Sequence, residues 1–362
     1  MTSVTTRRSL EVLTTDDSDH WDEVLHELAT YDFYNLASFH RLSELRGQGK
    51  AEMLVYREGD YTLIYPMLIR DIDIPPVAHE GLKDATSVPG LVGPLASALS
   101  VPDDVRLRFI HALQTHFEDN SIITAYCRLN CLIDQQPLFK GYGQTITHGV
   151  EISLDLTIPP EEQFARYRRD NRKAVRKLTG EGFTCEEVGA EHLDEFIRIY
   201  YYTMDRKNAA PVYYFDRAYF DFLMNEMSDV THLFFTKDGE RTAAVGIYIE
   251  CRGYVHAYFG GTDGDYIERS PSKLLTDWVR RWSVDRGCRM LHLGAGGGTQ
   301  RDSLWDYKMA FGGQEHEYSS WRQVVSPGIY DDVCRRVSEH AGIEPEESYF
   351  PKYRHPALRG DG

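Results

Sequence analysis

No stretch of this 362-residue chain approaches the apolar run that a membrane span needs. The opening MTSVTTRRSLEVLTTDDSDHW carries two arginines but no apolar core of signal-peptide length behind them, so the cytosol is the expected compartment. Cysteine is sparse: six residues, Cys127, Cys131, Cys185, Cys251, Cys288 and Cys334, are scattered along a chain large enough to need no disulfide framework. The one close pair, in CRLNC, lacks the second Cys or His pair of a zinc site, and buried thiols are expected instead. Positive charge is also in deficit, with 40 Lys and Arg against 56 Asp and Glu and a net charge of −16. That balance argues against a protein that coats nucleic acid with a broad basic face, though it leaves room for one local basic site.

What is present is ordinary for a globular α/β protein of two domains, with 42% hydrophobic and 27% charged residues. A weak internal repeat supports the division. AEMLVYREGDYTLIYPMLI and THLFFTKDGERTAAVGIYIE each read as a β-hairpin, and YREGDYT aligns with TKDGERT without a gap, Gly59 against Gly239. Each hairpin follows a helical segment, FYNLASFHRLSEL in one case and YFDFLMNEM in the other. Later, SPSKLLTDWVRRWSVDRG reads as an amphipathic helix with Leu274, Leu275, Trp278 and Trp282 inward and Gly287 as its stop.

Between the repeats, TIPPEEQFARYRRDNRKAVRKLTGEGF reads as one helix, capped by Thr157, opened by Pro159 and Pro160 and stopped at Gly180. Phe164, Tyr167, Asn171, Ala174, Val175 and Leu178 form its apolar stripe. Seven basic residues lie between Arg166 and Lys177 against the single Asp170, and Arg168, Arg169, Arg172, Lys173 and Arg176 are candidates to contact RNA or phosphate. The bland alternative is a solvated charged face.

Two glycine motifs suggest nucleotide sites. LHLGAGGG at Leu291–Gly298 has the strand and glycines of a dinucleotide loop, but too little chain follows it to build the remaining sheet of such a domain. RGQGKA at Arg46–Ala51 fits a pyrophosphate loop, yet it follows a helix and opens a strand, the reverse of what phosphate binding at a helix N-terminus requires.

The order of the basic helix, the second hairpin, YVHAYFGGTD, SPSKLLTDWVRRWSVDRG and LHLGAGGG…DSLWDYKMAFGG resembles the Fem family of aminoacyl-tRNA-dependent transferases over nearly the whole chain. KDATSVPGLVGP looks like a family segment of the first lobe. The resemblance implies two tandem N-acetyltransferase (GNAT-fold) domains with a cleft between them, residues 1–150 and 151–325, and a tail, 326–362, packing on the first. It implies transfer of an amino acid from its tRNA ester to an amine, on a peptidoglycan precursor or in specialised metabolite biosynthesis, with aminoacyl-tRNA as donor and no cofactor or metal. The long helical arm that some members carry is absent.

Attack of an amine on an activated ester needs removal of a proton and stabilisation of a tetrahedral oxyanion, with no covalent intermediate. By the resemblance, Lys308 is the oxyanion-stabilising cation and Tyr307 the aromatic residue at the aminoacyl end. Arg206 then grips phosphate or an acidic part of the acceptor, Tyr213, Tyr214 and Tyr258 line the acceptor pocket, and Asp84 and Asp263 orient or deprotonate the amine. Two other readings stay open: an N-acyltransferase using acyl-CoA on the same fold, and a binding protein without catalysis.

Overall fold

The computed structural model describes residues 8–296 and 301–359, so Gly297 and Gly298 of the glycine run lie outside the described residues. The chain divides into two units, residues 1–148 with 318–362, and residues 149–317. The first begins β1 (Arg8–Thr14), α1 (Ser18–His26), α2 (Ala37–Leu45), β2 (Lys50–Glu58), β3 (Tyr61–Asp71), β4 (Lys83–Thr86), β5 (Leu95–Ala96), α3 (Asp103–Asp119) and β6 (Ile122–Arg128). Then follow β7 (Gln144–Asp155), α4 (Pro160–Ala165), α5 (Arg169–Gly180), β8 (Thr184–Val188), α6 (Leu193–Arg206), α7 (Arg217–Asn225), β9 (Thr231–Asp238), β10 (Arg241–Cys251), β11 (Tyr254–Thr262), α8 (Ser272–Asp285), β12 (Met290–Ala295), α9 (Ser303–Met309) and β13 (Gln314–Val324). The last helix, α10 (Pro327–Ala341), belongs to the first unit.

Both units repeat one plan. In the first, β1, β2, β3 and β4 are antiparallel neighbours and β6 runs parallel to β4; in the second, β8, β9, β10 and β11 are antiparallel and β12 runs parallel to β11. A parallel neighbour needs a crossover, and α3 and α8 supply it at matching places. The hairpins β2–β3 and β9–β10 turn at Gly59 and Gly239, both at φ +59°, a left-handed conformation that glycine adopts without a Cβ clash. The repeat legible in the sequence is therefore a repeat of the α/β unit itself.

In the first unit α3 presents Val105, Phe109, Leu113 and Phe117 at helical spacing to Tyr65, Met67 and other residues of one sheet face. Each buried phenylalanine contributes roughly 1.5–3 kcal/mol. On the other face Val333 and Val337 of α10 and the fully buried Tyr353 pack with Ile72, Val77 and Ile123. In the second unit α8 buries Leu275 and Val279 against Phe234, Tyr248 and Leu291, while half-buried Trp278 and Trp282 meet the Phe234 ring at 5.2 and 5.1 Å. Gly287 ends that segment at φ +74°.

The basic segment departs from expectation, because it forms two helices, α4 and α5. Tyr167 is drawn inward between them, its hydroxyl 3.1 Å from Asp277 Oδ1 and accepting from Arg280 Nε at 3.0 Å. Arg172 bonds the carbonyls of Ala165 (2.7 Å) and Tyr167, satisfying groups freed by the break. Thr157 does not cap the helix: its amide and hydroxyl both bond Asp155 Oδ1. Gly180 is the last residue of α5, and Gly182, at φ +87°, carries the left-handed turn.

The six cysteines form no disulfide. RGQGKA runs from the end of α2 into the first residues of β2 and opens no helix, as its sequence context indicates. No helix among the described residues is long and apolar enough to cross a membrane.

Candidate active site

Two-residue periodicity places Glu151 and Ser153 of β7 on one face. β12 sets His292 in register with Ser153, and the parallel β11 sets His256 beside His292. His316 of β13 and Lys308 of α9 complete a titratable cluster in the second unit. His292 Nε2 lies 2.7 Å from Glu151 Oε2, and its Nδ1 lies 2.9 Å from His256 Nδ1. Ser153 Oγ is 2.6 Å from His316 Nε2.

The register of β12 shifts between His292 and Gly294, a β-bulge, with Gly294 at φ +75°. Across it, Lys308 Nζ donates to the Ala295 carbonyl at 2.7 Å. Asp302 fixes the lysine's helix by accepting the amides of Leu304 and Trp305 at 3.0 and 2.9 Å. Arg168 holds the same helix through Asp306 at 2.7 Å. The first described glycine of the run thus shapes a bulge and aims a carbonyl at a lysine.

Burial governs the protonation of the cluster. Lys308 is half-buried as a residue with its ammonium at the enclosed end, and desolvation pushes its pKa down to about 8, against the opposing pull of Glu151 and Asp302. Desolvation also lowers His292, despite its bond to Glu151, and lowers His316. Both imidazoles are therefore neutral at pH 7, and the neutral His292 that donates Nε2–H to Glu151 keeps Nδ1 as an acceptor. An enclosed cation beside a neutral imidazole backed by a carboxylate provides the two functions that acyl transfer to an amine requires.

The other sequence candidates are distributed differently. Tyr307 turns into the unit's core, its hydroxyl 3.2 Å from Ser272 Oγ and its ring edge-to-face with Phe311 at 5.4 Å, because a buried phenol needs both a polar partner and packing. Asp263 accepts from Arg198 and from the Asp265 amide, at 3.1 and 3.2 Å, as a capping residue. Tyr258 meets the Tyr219 hydroxyl at 3.0 Å. Arg206, at the end of α6, lies on an exposed surface with Tyr213 and Tyr214, and the Tyr214 hydroxyl donates to Asp205 at 2.7 Å.

On the basic segment Arg169, Lys173 and Arg176 are exposed, Arg176 lying over the Phe164 ring, whereas Arg168 and Arg172 hold α9 and the α4 end. Asp84 belongs to the first unit, buried with Arg70, Arg354 and Tyr353 on its carboxylate. Its ion pairs account for it as a structural anchor, in place of the expected orienting or deprotonating group.

Sequence reading missed Glu151, Ser153, His256, His292 and His316. The available signal was a polar side chain interrupting each of three apolar strands, HGVEISLDL, YVHAYF and RMLHL, which singly read as satisfied core residues.

Residues 165–309 match the family model of the acetyltransferase (GNAT) domain. Among solved structures, FemX superposes with a TM-score of 0.71 at 12% identity, over 89% of this chain and 99% of that one. This chain has the FemX-like GNAT fold. The FemX-like architecture is also similar to the C-terminal domain of a putative lysylphosphatidylglycerol synthetase from Agrobacterium fabrum, with a TM-score of 0.53 at 10% identity over 84% of this chain and 91% of that one. L-PGS from Bacillus licheniformis gives 0.51 at 14% identity, over 86% and 94%. No curated protein matches the chain in sequence.

Proposed function

We propose that this FemX-like protein is an aminoacyltransferase that moves an amino acid from aminoacyl-tRNA to the amine of a small-molecule or peptide acceptor. The observation that carries the reading is Lys308: an enclosed ammonium held at 2.7 Å from a bulge carbonyl, beside the Glu151–His292 pair. The amine nitrogen attacks the ester carbonyl, the C–N bond forms, and the C–O bond to the tRNA ribose breaks. The amine proton is taken up by the Glu151–His292 pair, whose imidazole is neutral, and is delivered to the ribose oxygen, which leaves as the hydroxyl. An ammonium has three donors; Ala295 takes one, and the others serve the oxyanion.

The exposed Arg169, Lys173 and Arg176 supply phosphate contacts for the donor, with Arg168 and Arg172 setting the helix positions they project from. Arg206, Tyr213 and Tyr214 offer the acceptor a cationic and aromatic surface, with Tyr258 and Asp263 supporting it. The likeness to a putative lysylphosphatidylglycerol synthetase supports transfer of aminoacyl groups on this fold. The GNAT-domain match over residues 165–309 favours a second reading, an acyl-CoA donor on the same site.

The deciding experiment supplies a labelled amino-acid mixture, total tRNA and synthetases together with amine acceptors from a host extract, with and without ribonuclease. Transfer that ribonuclease and Lys308→Ala both abolish supports the proposal. Transfer that ignores ribonuclease and responds to acyl-CoA overturns the tRNA donor, and activity unchanged in Lys308→Ala removes the lysine from the mechanism.

A further inference from the structure

The first unit contains a cavity of about 640 Å³ whose lining includes Arg70, Arg128, Arg322 and Arg354 and, among the described residues, no Asp or Glu. In a chain of net charge −16 this concentration is unexpected. Strand geometry produces it. Arg70 lies on β3, Tyr126 and Arg128 on β6, and Ser320 and Arg322 on β13, with Tyr126 opposite Arg322 and Arg128 opposite Ser320, so alternate residues of neighbouring strands share one face. The chain end forms the facing wall through Tyr349, Phe350 and Arg354.

The wall is anchored from behind. Asp84, 1% exposed at its side chain, accepts from Arg70 Nε at 2.7 Å and from Arg354 Nε, while Arg354 Nη2 donates to the Asp71 carbonyl at 2.9 Å. The Tyr353 hydroxyl bonds Thr124 at 2.7 Å and Asp84 at 3.2 Å. Asp84 is thus shared by two of the four guanidiniums, Arg70 and Arg354. Arg322 donates to the neutral Gln144 at 3.2–3.3 Å and lies over the Phe350 ring. The field of Arg128 and Arg322 helps, after burial, to lower the pKa of neighbouring His148.

We infer that this cavity is an anion site for a small phosphate-bearing ligand with at least two negative charges, closed on one side by the C-terminal tail. Guanidinium forks match phosphate oxygens in pairs, and a single carboxylate would leave most of the positive charge uncompensated. Tyr126, Tyr349 and Phe350 give the ligand's organic part an aromatic surface, and the volume suits a small molecule. The ligand joins five strands to residues 348–356, so binding fastens the tail. None of these residues belongs to the Lys308 cluster, and the transferase reading stands or falls separately.

The test is calorimetric titration of the full chain, in phosphate-free buffer, with inorganic pyrophosphate, inorganic phosphate, citrate and uncharged tRNA. Arg128→Gln and Arg322→Gln are titrated in parallel, and their unliganded melting temperatures confirm folding. The expected result is saturable pyrophosphate binding, tighter than phosphate or citrate, weakened about tenfold or more in each variant. Pyrophosphate should also slow proteolysis within residues 348–356 of the native chain alone. Absence of saturation, equal affinity in the variants, or citrate binding as tight as pyrophosphate overturns the inference. Displacement of pyrophosphate by tRNA in the native chain overturns the small-ligand assignment and gives the cavity to nucleic-acid phosphate.

Discussion

Lys308 Nζ and the Ala295 carbonyl oxygen are joined at 2.7 Å across a bulge whose pivot is Gly294. The bond holds a cation in an enclosed place where its charge is costly, and that cost is expressed in its pKa of about 8. From this pair follow the first three predictions.

Lys308→Met should lower turnover by about 10²–10³-fold, the magnitude typical of losing one oxyanion donor. Single-turnover transfer measures it, with an unchanged circular dichroism spectrum as the control.

The turnover of the native protein should be bell-shaped in pH. The acid limb lies below the usual imidazole value, because His292 is lowered and the Glu151–His292 pair takes up a proton only while the imidazole is neutral. The alkaline limb lies near 8, where Lys308 loses its charge. Stability moves the opposite way on the alkaline side: between about 8 and 10.5 the unfolded chain binds the lysine proton and the folded chain does not, so stability rises with pH. Relative to Lys308→Met the gain is about 2 kcal/mol, read from urea unfolding at pH 7.5 and pH 10.

Glu151→Gln should move the alkaline limb to lower pH, since Glu151 raises the pKa of Lys308, and should reduce turnover about tenfold by weakening the support of His292. A change in rate with the limb unmoved would show that the carboxylate does not act on the lysine.

Gly294→Ala places a Cβ 3.4 Å from Lys308 Nζ at φ +75°. The contact is tolerable and the backbone is not, so the expected cost is about 1–2 kcal/mol in stability. Thermal unfolding measures the cost, and the pH profile reports whether the lysine has shifted.

In the first unit Asp84→Ala should destabilise the fold by about 3–5 kcal/mol, because it leaves Arg70 and Arg354 without their buried carboxylate. Tyr353→Phe, which removes only hydroxyl bonds, should cost about 1–2 kcal/mol. Denaturant unfolding of the pair separates charge loss from the loss of a single hydroxyl.

The hairpins at Gly59 and Gly239 and the stripe on α8 were legible because they depend on local periodicity and on glycine's access to positive φ. Lys308 was singled out by resemblance alone. The break between α4 and α5 was not, since helix propensity runs through it and only the bonds of Tyr167 to Asp277 and Arg280, more than a hundred residues away in sequence, pull the chain inward. Glu151, His256 and His292 escaped for the same reason: three strands distant in sequence must pair in one register before their side chains meet.

By itself, then, the sequence determined the repeated α/β unit, its turns and its amphipathic helices, because those follow from side-chain spacing along a few neighbouring residues. Tertiary structure alone decided which polar groups are enclosed together, that Lys308 is partly desolvated, and that four arginines share one cavity. Proton affinity and field strength depend on burial and on distances between residues far apart in the chain, and only folding sets those.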